Sequence, residues 1–320
     1  MDLDPGLAAL SPLGGFFLLH TMRPKPGSPP LPTLADAYAD TALGTDTDTD
    51  GATHLRPRQA PDLGPHPAPD LGPRPAPDLG PHPAPDSEPH PTPHPHPQPD
   101  PHPPHPPNPL AFRVRKVTAA LRAPEPRVAA SVAHQGLAAR LWSVTLGCAA
   151  LYGRVPDLAP RLLRWDPDAS APDDLWLTDV RPLPGDAATA AGVVLRDHIA
   201  PLTAAVHARY RVATGLLWGN AASALAGAGR ELDRWARHAG RPDTAERARA
   251  LTAGLLAHPL LAGTGTLTAA RDGIAFRRRS CCLYYRVPGS GVCGDCCFPR
   301  PPAPPRSSPL THPSPDAPSG

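Results

Sequence analysis

An eight-residue proline repeat sets the strongest limit on what this chain can fold into. It reads PDLGPHPA at 61–68, PDLGPRPA at 69–76 and PDLGPHPA at 77–84, then decays to PDSEPHPT at 85–92. PHPHPQPDPHPPHPPNP follows. Proline at nearly every second position removes amide donors and fixes φ, so polyproline II is the conformation that suits residues 53–109. Leu55, Leu63, Leu71 and Leu79 are the only large apolar side chains there, too few for a solenoid core. The tract is expected to be a disordered, solvated spacer whose deletion spares the rest of the chain. Its eight histidines, from His54 to His105, are incidental on this reading, with weak metal holding as the alternative. In all, 51 of the 320 residues are proline, about three times ordinary usage. One uniform fold from end to end is thereby excluded.

The rest divides around that tract. Residues 1–52 form an N-terminal segment expected to pack on the main domain, with a short helix over Thr33–Leu43 and an Asp46, Asp48, Asp50 run leading out of it. Phe16 and Phe17 are its expected anchor, a membrane-surface contact being the alternative. Residues 110–270 read as mainly helical. Leu137, Leu141, Val144 and Cys148 mark one stripe of a helix from about Val128 to Tyr152, which makes Cys148 a buried thiol. Leu175–Val180 alternates like a strand. Leu195, Ile199, Leu202 and Val206 give a second helical stripe, with Pro201 at a kink or first turn. A third helix spans Leu216–Trp235, and its small residues at 219–229 permit close approach of a neighbour. Asp243 followed by Glu246 reads as the capped start of a fourth, ending before Pro259. Residues 301–320 read as a disordered tail.

Charge excludes one class of partner. Against 31 Lys and Arg stand 29 Asp and Glu, so no broad basic surface for nucleic acid is expected. No leader peptide and no apolar run long enough to span a bilayer is visible. The expected setting is cytoplasmic, with at most a loose association with the inner face of the membrane.

Five of the six cysteines fall within 17 residues: Cys281, Cys282, Cys293, Cys296 and Cys297. So tight a cluster reads as a metal or iron–sulfur site rather than a disulfide framework. Cys281-Cys282-x10-Cys293-x2-Cys296 supplies four thiolates. They suffice for both irons of a [2Fe–2S] rhomb, for one zinc, or for a [4Fe–4S] centre. Adjacent cysteines diverge in an extended chain, which closes less readily around one zinc than around a two-iron rhomb. Gly289, Gly291 and Gly294 are expected to form tight turns whose N–H groups reach sulfur.

The segment RRSCCLYYRVPGSGVCGDC, from Arg278 to Cys296, resembles the C-terminal motif of the FhuF-like ferric iron reductases, or siderophore-iron reductases. SVAHQGLAARLWSVTLGCAAL at 131–151 and LLWGNAASALAGA at 216–228 resemble an actinobacterial-type branch of them. The resemblance implies an α+β fold: a mostly helical body with a small C-terminal iron–sulfur region at 271–300. It implies a [2Fe–2S] cluster on Cys281, Cys282, Cys293 and Cys296, and an oxidoreductase that passes one electron to siderophore-bound Fe(III). Hydroxamate-type ferric siderophores are then the expected substrates. An outside ferredoxin, flavodoxin or flavin reductase is the expected donor, because no GxGxxG marks an internal nucleotide site. Cys297 lies outside the motif and is not expected to be a ligand.

Other residues carry paired expectations. Arg277, Arg278 and Arg279 would raise the cluster potential and attract an acidic donor or anionic complex, or else form a solvated face. Tyr284 and Tyr285 would shield the cluster or pack as core. Trp218 and Asn220 would line a pocket beside it or pack between helices. His134 is either a partly buried structural group or part of a ligand pocket. Two other classes stand beside the reductase: an iron–sulfur carrier or sensor that never meets siderophore, and a structural zinc protein with four cysteine ligands.

Overall fold

The computed structural model describes residues 3–21, 30–39, 108–270, 273–300 and 302. All of them belong to a single unit of the chain. The proline tract up to residue 107, the Asp46–Asp50 run and the tail from 303 onward lie outside the described residues. The architecture is mostly helical.

Helix α4 (Pro126–Tyr152) is the axis of the body. Pro126 occupies its first turn, where the missing N–H costs nothing. Gly153, at φ 63°, ends it in the left-handed conformation that glycine adopts without strain. Leu141, Trp142, Val144, Leu146 and Cys148 are all essentially inaccessible, so the helix is buried on nearly every side. Helix α3 (Pro109–Leu121) precedes it. Against α4 also packs α7 (Thr214–His238), whose Leu217, Ala221, Leu225, Ala228 and Leu232 form one apolar stripe. Helix α8 (Pro242–Leu256) lies against α7 where Gly229 leaves room, since a Cβ there would stand 2.4 Å from Thr252 Oγ1. The small residues of α7 thus do admit a close neighbour.

The N-terminal segment docks on α4. Helix α1 (Leu3–Ala8) and the loop after it bury Leu7, Leu10, Phe17 and Leu19. Only Phe17 of the phenylalanine pair is an anchor: Phe16 is 46 % exposed. From α4, the buried Arg140 donates to the Phe16 carbonyl at 2.6 Å and to Asp174 Oδ1 at 3.0 Å, fixing where this loop lies. The segment ends in β1 (His20–Thr21), which pairs parallel with β4 (Leu175–Leu177). On its other edge β4 pairs antiparallel with β3 (Leu163–Trp165). Two short strands, β2 (Arg154–Pro156) and β5 (Pro182–Pro184), form a separate antiparallel pair.

Several elements depart from the sequence expectation. Helix α2 (Leu34–Tyr38) is shorter than expected within the described residues, although Thr33 and Asp36 form a full capping box. Strand β4 stops at Leu177 rather than Val180. Pro201 sits in the first turn of α6 (Ala200–Tyr210), and the turns before it, Gly192–Ile199, which continue the short helix α5 (Ala187–Ala191), widen to a π-helix. A proline ring crowds the carbonyl four residues back, and a wider turn relieves that crowding. Helix α8 starts at Pro242, with Arg241 at its cap and no capping side chain. Asp243 lies inside the first turn, where it complements the helix dipole instead of capping. The hairpin β6 (Gly265–Ala270) and β7 (Gly273–Arg278) then carries the chain to the cysteines. Among the described residues no helix is long and apolar enough to cross a membrane.

Candidate metal centre

Strand β7 ends at Arg278, whose N–H donates to the Asp295 carbonyl at 3.0 Å. That bond closes residues 279–295 into a knuckle. Inside it Leu283 takes φ 68°, and a short helical turn follows at Tyr284–Arg286. Cys296 N–H returns to the Cys293 carbonyl at 3.1 Å. All five cysteines here are free thiols.

One pair of sulfur atoms is in contact. Cys282 and Cys293 Sγ stand 3.4 Å apart. Two thiolates on one tetrahedral metal, at bond lengths of about 2.3 Å, would lie about 3.8 Å apart. Past Cys281 and Cys282 the chain leaves the extended conformation at Leu283, whose N–H turns back to Cys281 Sγ. Hydrogen bonds from Cys281 and then from Cys293 hold the Cys282 thiol far below its usual pKa, and the two donors shift upward in return. The N–H groups that reach sulfur belong to Leu283 on Cys281 (3.2 Å), Phe298 on Cys296 (3.4 Å) and Tyr284 on Cys282. They are not those of the three expected glycines, of which only Gly289 has positive φ, at 74°. Burial, and then the neighbouring Cys296, push the Cys297 thiol up. Among the described residues no three His, Cys, Asp or Glu side chains gather in the spacing of a single-ion site.

The FhuF 2Fe–2S C-terminal domain model matches residues 278–298. The chain thus carries a FhuF-like 2Fe–2S domain; the match takes in the knuckle and not the helical body. No curated protein matches the chain. The donor set suits such a group in kind: four thiols, one sulfur pair in contact, N–H groups on sulfur and a buried arginine at the end of the strand that leads into the cysteines.

Two helices hold the FhuF-like knuckle through polar contacts. Ser131 of α4 donates its hydroxyl to the Cys282 carbonyl at 2.8 Å. Asn220 of α7 donates to the Ser131 carbonyl and Oγ, both at 2.9 Å, and accepts from Arg278 Nη2 at 2.6 Å. Asp295, 7 % exposed, accepts from Ser223 Oγ at 2.6 Å and pairs with Arg230 at 2.9 Å. Arg286 pairs with Glu125 at the start of α4.

The remaining expected residues separate clearly. Arg277 and Arg279 are exposed, and Arg277 reaches the Cys297 carbonyl; Arg278 alone is buried. Tyr284 and Tyr285 are half-buried, Tyr285 meeting Phe298 edge to face at 5.9 Å. His134 is fully buried against Thr203 Oγ1 at 3.2 Å; burial and then the Arg278 charge push its pKa down to about 3. Its Nδ1 is buried without a hydrogen-bond partner among the described residues.

Beside the knuckle lies a cleft of about 400 Å³. Its walls are the Gly14–Phe17 loop, Gln135 and Ser143 of α4, Gly227 and Arg230 of α7, and Cys293–Asp295. Trp218, Asn220 and His134 are not among its lining. Sequence reasoning missed Ser131, Ser223, Arg230 and Asp295. Asp295 offered a signal, a carboxylate inside the CxxC turn. The helix residues offered none, since only packing brings them to the knuckle.

Proposed function

We propose that this protein is a ferric-siderophore reductase of the cytoplasm, with a [2Fe–2S] cluster on Cys281, Cys282, Cys293 and Cys296. Those four cysteines would hold the cluster, which would supply one-electron chemistry to siderophore-bound Fe(III), giving Fe(II), with an outside donor such as a ferredoxin, flavodoxin or flavin reductase as the source of the electron. The observation that carries the reading is the FhuF-type cysteine set whose Cys293–Asp295 edge forms one wall of an open cleft.

The chain's own residues then have distinct tasks. Ser131, Ser223 and Arg230 fasten the knuckle so that Cys293 stays at the cleft edge. Arg140 holds Phe16 at the opposite rim. The cleft seats the chelate: Gly227 leaves space, because a Cβ there would meet only Arg230 Nη2, at 3.8 Å. The cleft's charged residues are Arg230, Glu231 and Asp295, and the pairing of Arg230 with Asp295 leaves no excess positive charge for a highly anionic complex. That balance favours a neutral chelate such as a ferric tris-hydroxamate.

The test is anaerobic purification with iron and acid-labile sulfide analysis, followed by titration of the reduced protein with ferric hydroxamates. Two irons, two sulfides and bleaching by ferric hydroxamate are expected. Zinc without sulfide would make it a structural zinc protein. A reduced centre that ferric hydroxamate leaves untouched would make it a carrier or sensor.

A further inference from the structure

Arg278 is 2 % exposed, and no carboxylate pairs with it among the described residues. Its hydrogen bonds run to neutral oxygens: Asn220 Oδ1 at 2.6 Å, the Leu216 carbonyl at 3.2 Å and Gln135 Oε1 at 3.4 Å. Its Nε has no partner among the described residues. Room for the guanidinium is made by Gly219 of α7, where a Cβ would stand 3.2 Å from Nη2 and 2.5 Å from Ser280 Oγ. Burying a guanidinium without an opposite charge costs several kcal/mol. Such a seat persists when a negative charge compensates it nearby. The seat lies at the metal centre: the Arg278 N–H is held by the Asp295 carbonyl, one residue before Cys296, at 3.0 Å, and Asn220, which accepts from the guanidinium, also donates to Ser131, whose hydroxyl holds the Cys282 carbonyl.

We propose that Arg278 is the fixed counter-charge of the metal centre, a positioning residue that sets the centre's reduction potential while Arg277 and Arg279 face solvent. The inference rests on the [2Fe–2S] reading. Four thiolates, two sulfides and two ferric irons sum to −2, and reduction by one electron takes that to −3. A buried cation beside the sulfur atoms stabilises the −3 state more than the −2 state, so it raises the potential. Because water is excluded around the guanidinium, this field is screened far less than that of its exposed neighbours.

The experiment compares wild type, Arg278→Gln, Arg278→Lys and Arg277→Gln, all prepared anaerobically, by iron and sulfide content and by the midpoint potential of the visible spectrum. Iron and sulfide in the wild type test the cluster reading by themselves. Given a cluster, Arg278→Gln should disfavour reduction at least tenfold, which is about 59 mV for one electron. Arg278→Lys should restore most of that shift, and Arg277→Gln should shift it less than twofold. If Arg278→Gln fails to assemble the centre while Arg278→Lys assembles it, the charge requirement stands. A loaded Arg278→Gln protein at the wild-type potential would overturn the proposal. So would loss of the centre in both variants, which would make Arg278 a packing residue.

Discussion

Trp142 and Asp295 are both buried, yet they belong to regions held by different forces. Trp142 lies fully inside the helical body, among Leu141, Leu146, Leu225 and their neighbours. That region is stabilised by apolar area removed from water, spread over many side chains. Asp295 belongs to the cysteine knuckle, which offers little apolar surface: Cys282 and Val287 are its buried apolar side chains. The knuckle is held by a few directed contacts from Ser131, Asn220, Ser223, Arg230 and Glu125. A body of the first kind tolerates the loss of any one surface contact. A lobe of the second kind depends on each tether and on whatever its thiols hold.

The sharpest break of this comparison is at the ligands. Cys282→Ser should abolish the visible spectrum of the anaerobic protein while far-ultraviolet circular dichroism of the helices stays nearly unchanged. Cys297→Ser should keep both. A lost signal in Cys297→Ser with a normal Cys296→Ser would move the ligand register by one residue.

Next in size comes the body itself. Trp142→Ala should cost about 4 kcal/mol of global stability in urea unfolding. Asp295→Asn should cost about 2 kcal/mol, and locally: proteolysis within 279–300 should quicken before the helices lose their signal. Equal, global losses from the two would erase the distinction.

Acid separates the regions differently. His134 and His198 are both buried in the body and are pushed down to about 3 and about 4, in each case first by burial. Unfolded histidine titrates near 6.5. Between that value and the folded ones, only the unfolded chain takes up the protons. Stability is therefore full above pH 6.5 and is lost as pH falls, by about 2 kcal/mol per histidine at pH 5. Urea midpoints at pH 7.5 and 5 measure the loss, and His134→Gln should remove roughly half of it. A pH-independent midpoint would contradict the burial of these rings.

The smallest effect on stability should come from Gly227→Leu. The new Cβ would meet only Arg230 Nη2, at 3.8 Å, on the cleft wall, and the helix gains up to about 1 kcal/mol. The spectrum should be unchanged, while reduction of ferric hydroxamate slows about tenfold or more. An unchanged rate would place the chelate elsewhere.

Local pattern determined much of this protein. The stripe Leu137, Leu141, Val144, Cys148 placed α4 and buried its thiol, because a 3.6-residue period is written within one segment. The spacing of Cys281, Cys282, Cys293 and Cys296 located the candidate centre for the same reason: its donors are close in sequence. What one segment does to another could not be read that way. Three consecutive arginines look alike in the chain, and only the end of β7 against Gly219 and Asn220 buries Arg278 and leaves Arg277 and Arg279 in water. Asn220 was legible as a polar residue among small ones, but its place beneath the knuckle rather than in the cleft follows from the packing of α4 on α7. The cleft joins loop 14–17, two helices and the knuckle, pieces that lie far apart along the chain. Periodicity carries no term for such distances; side-chain volumes and hydrogen bonds between segments decide them.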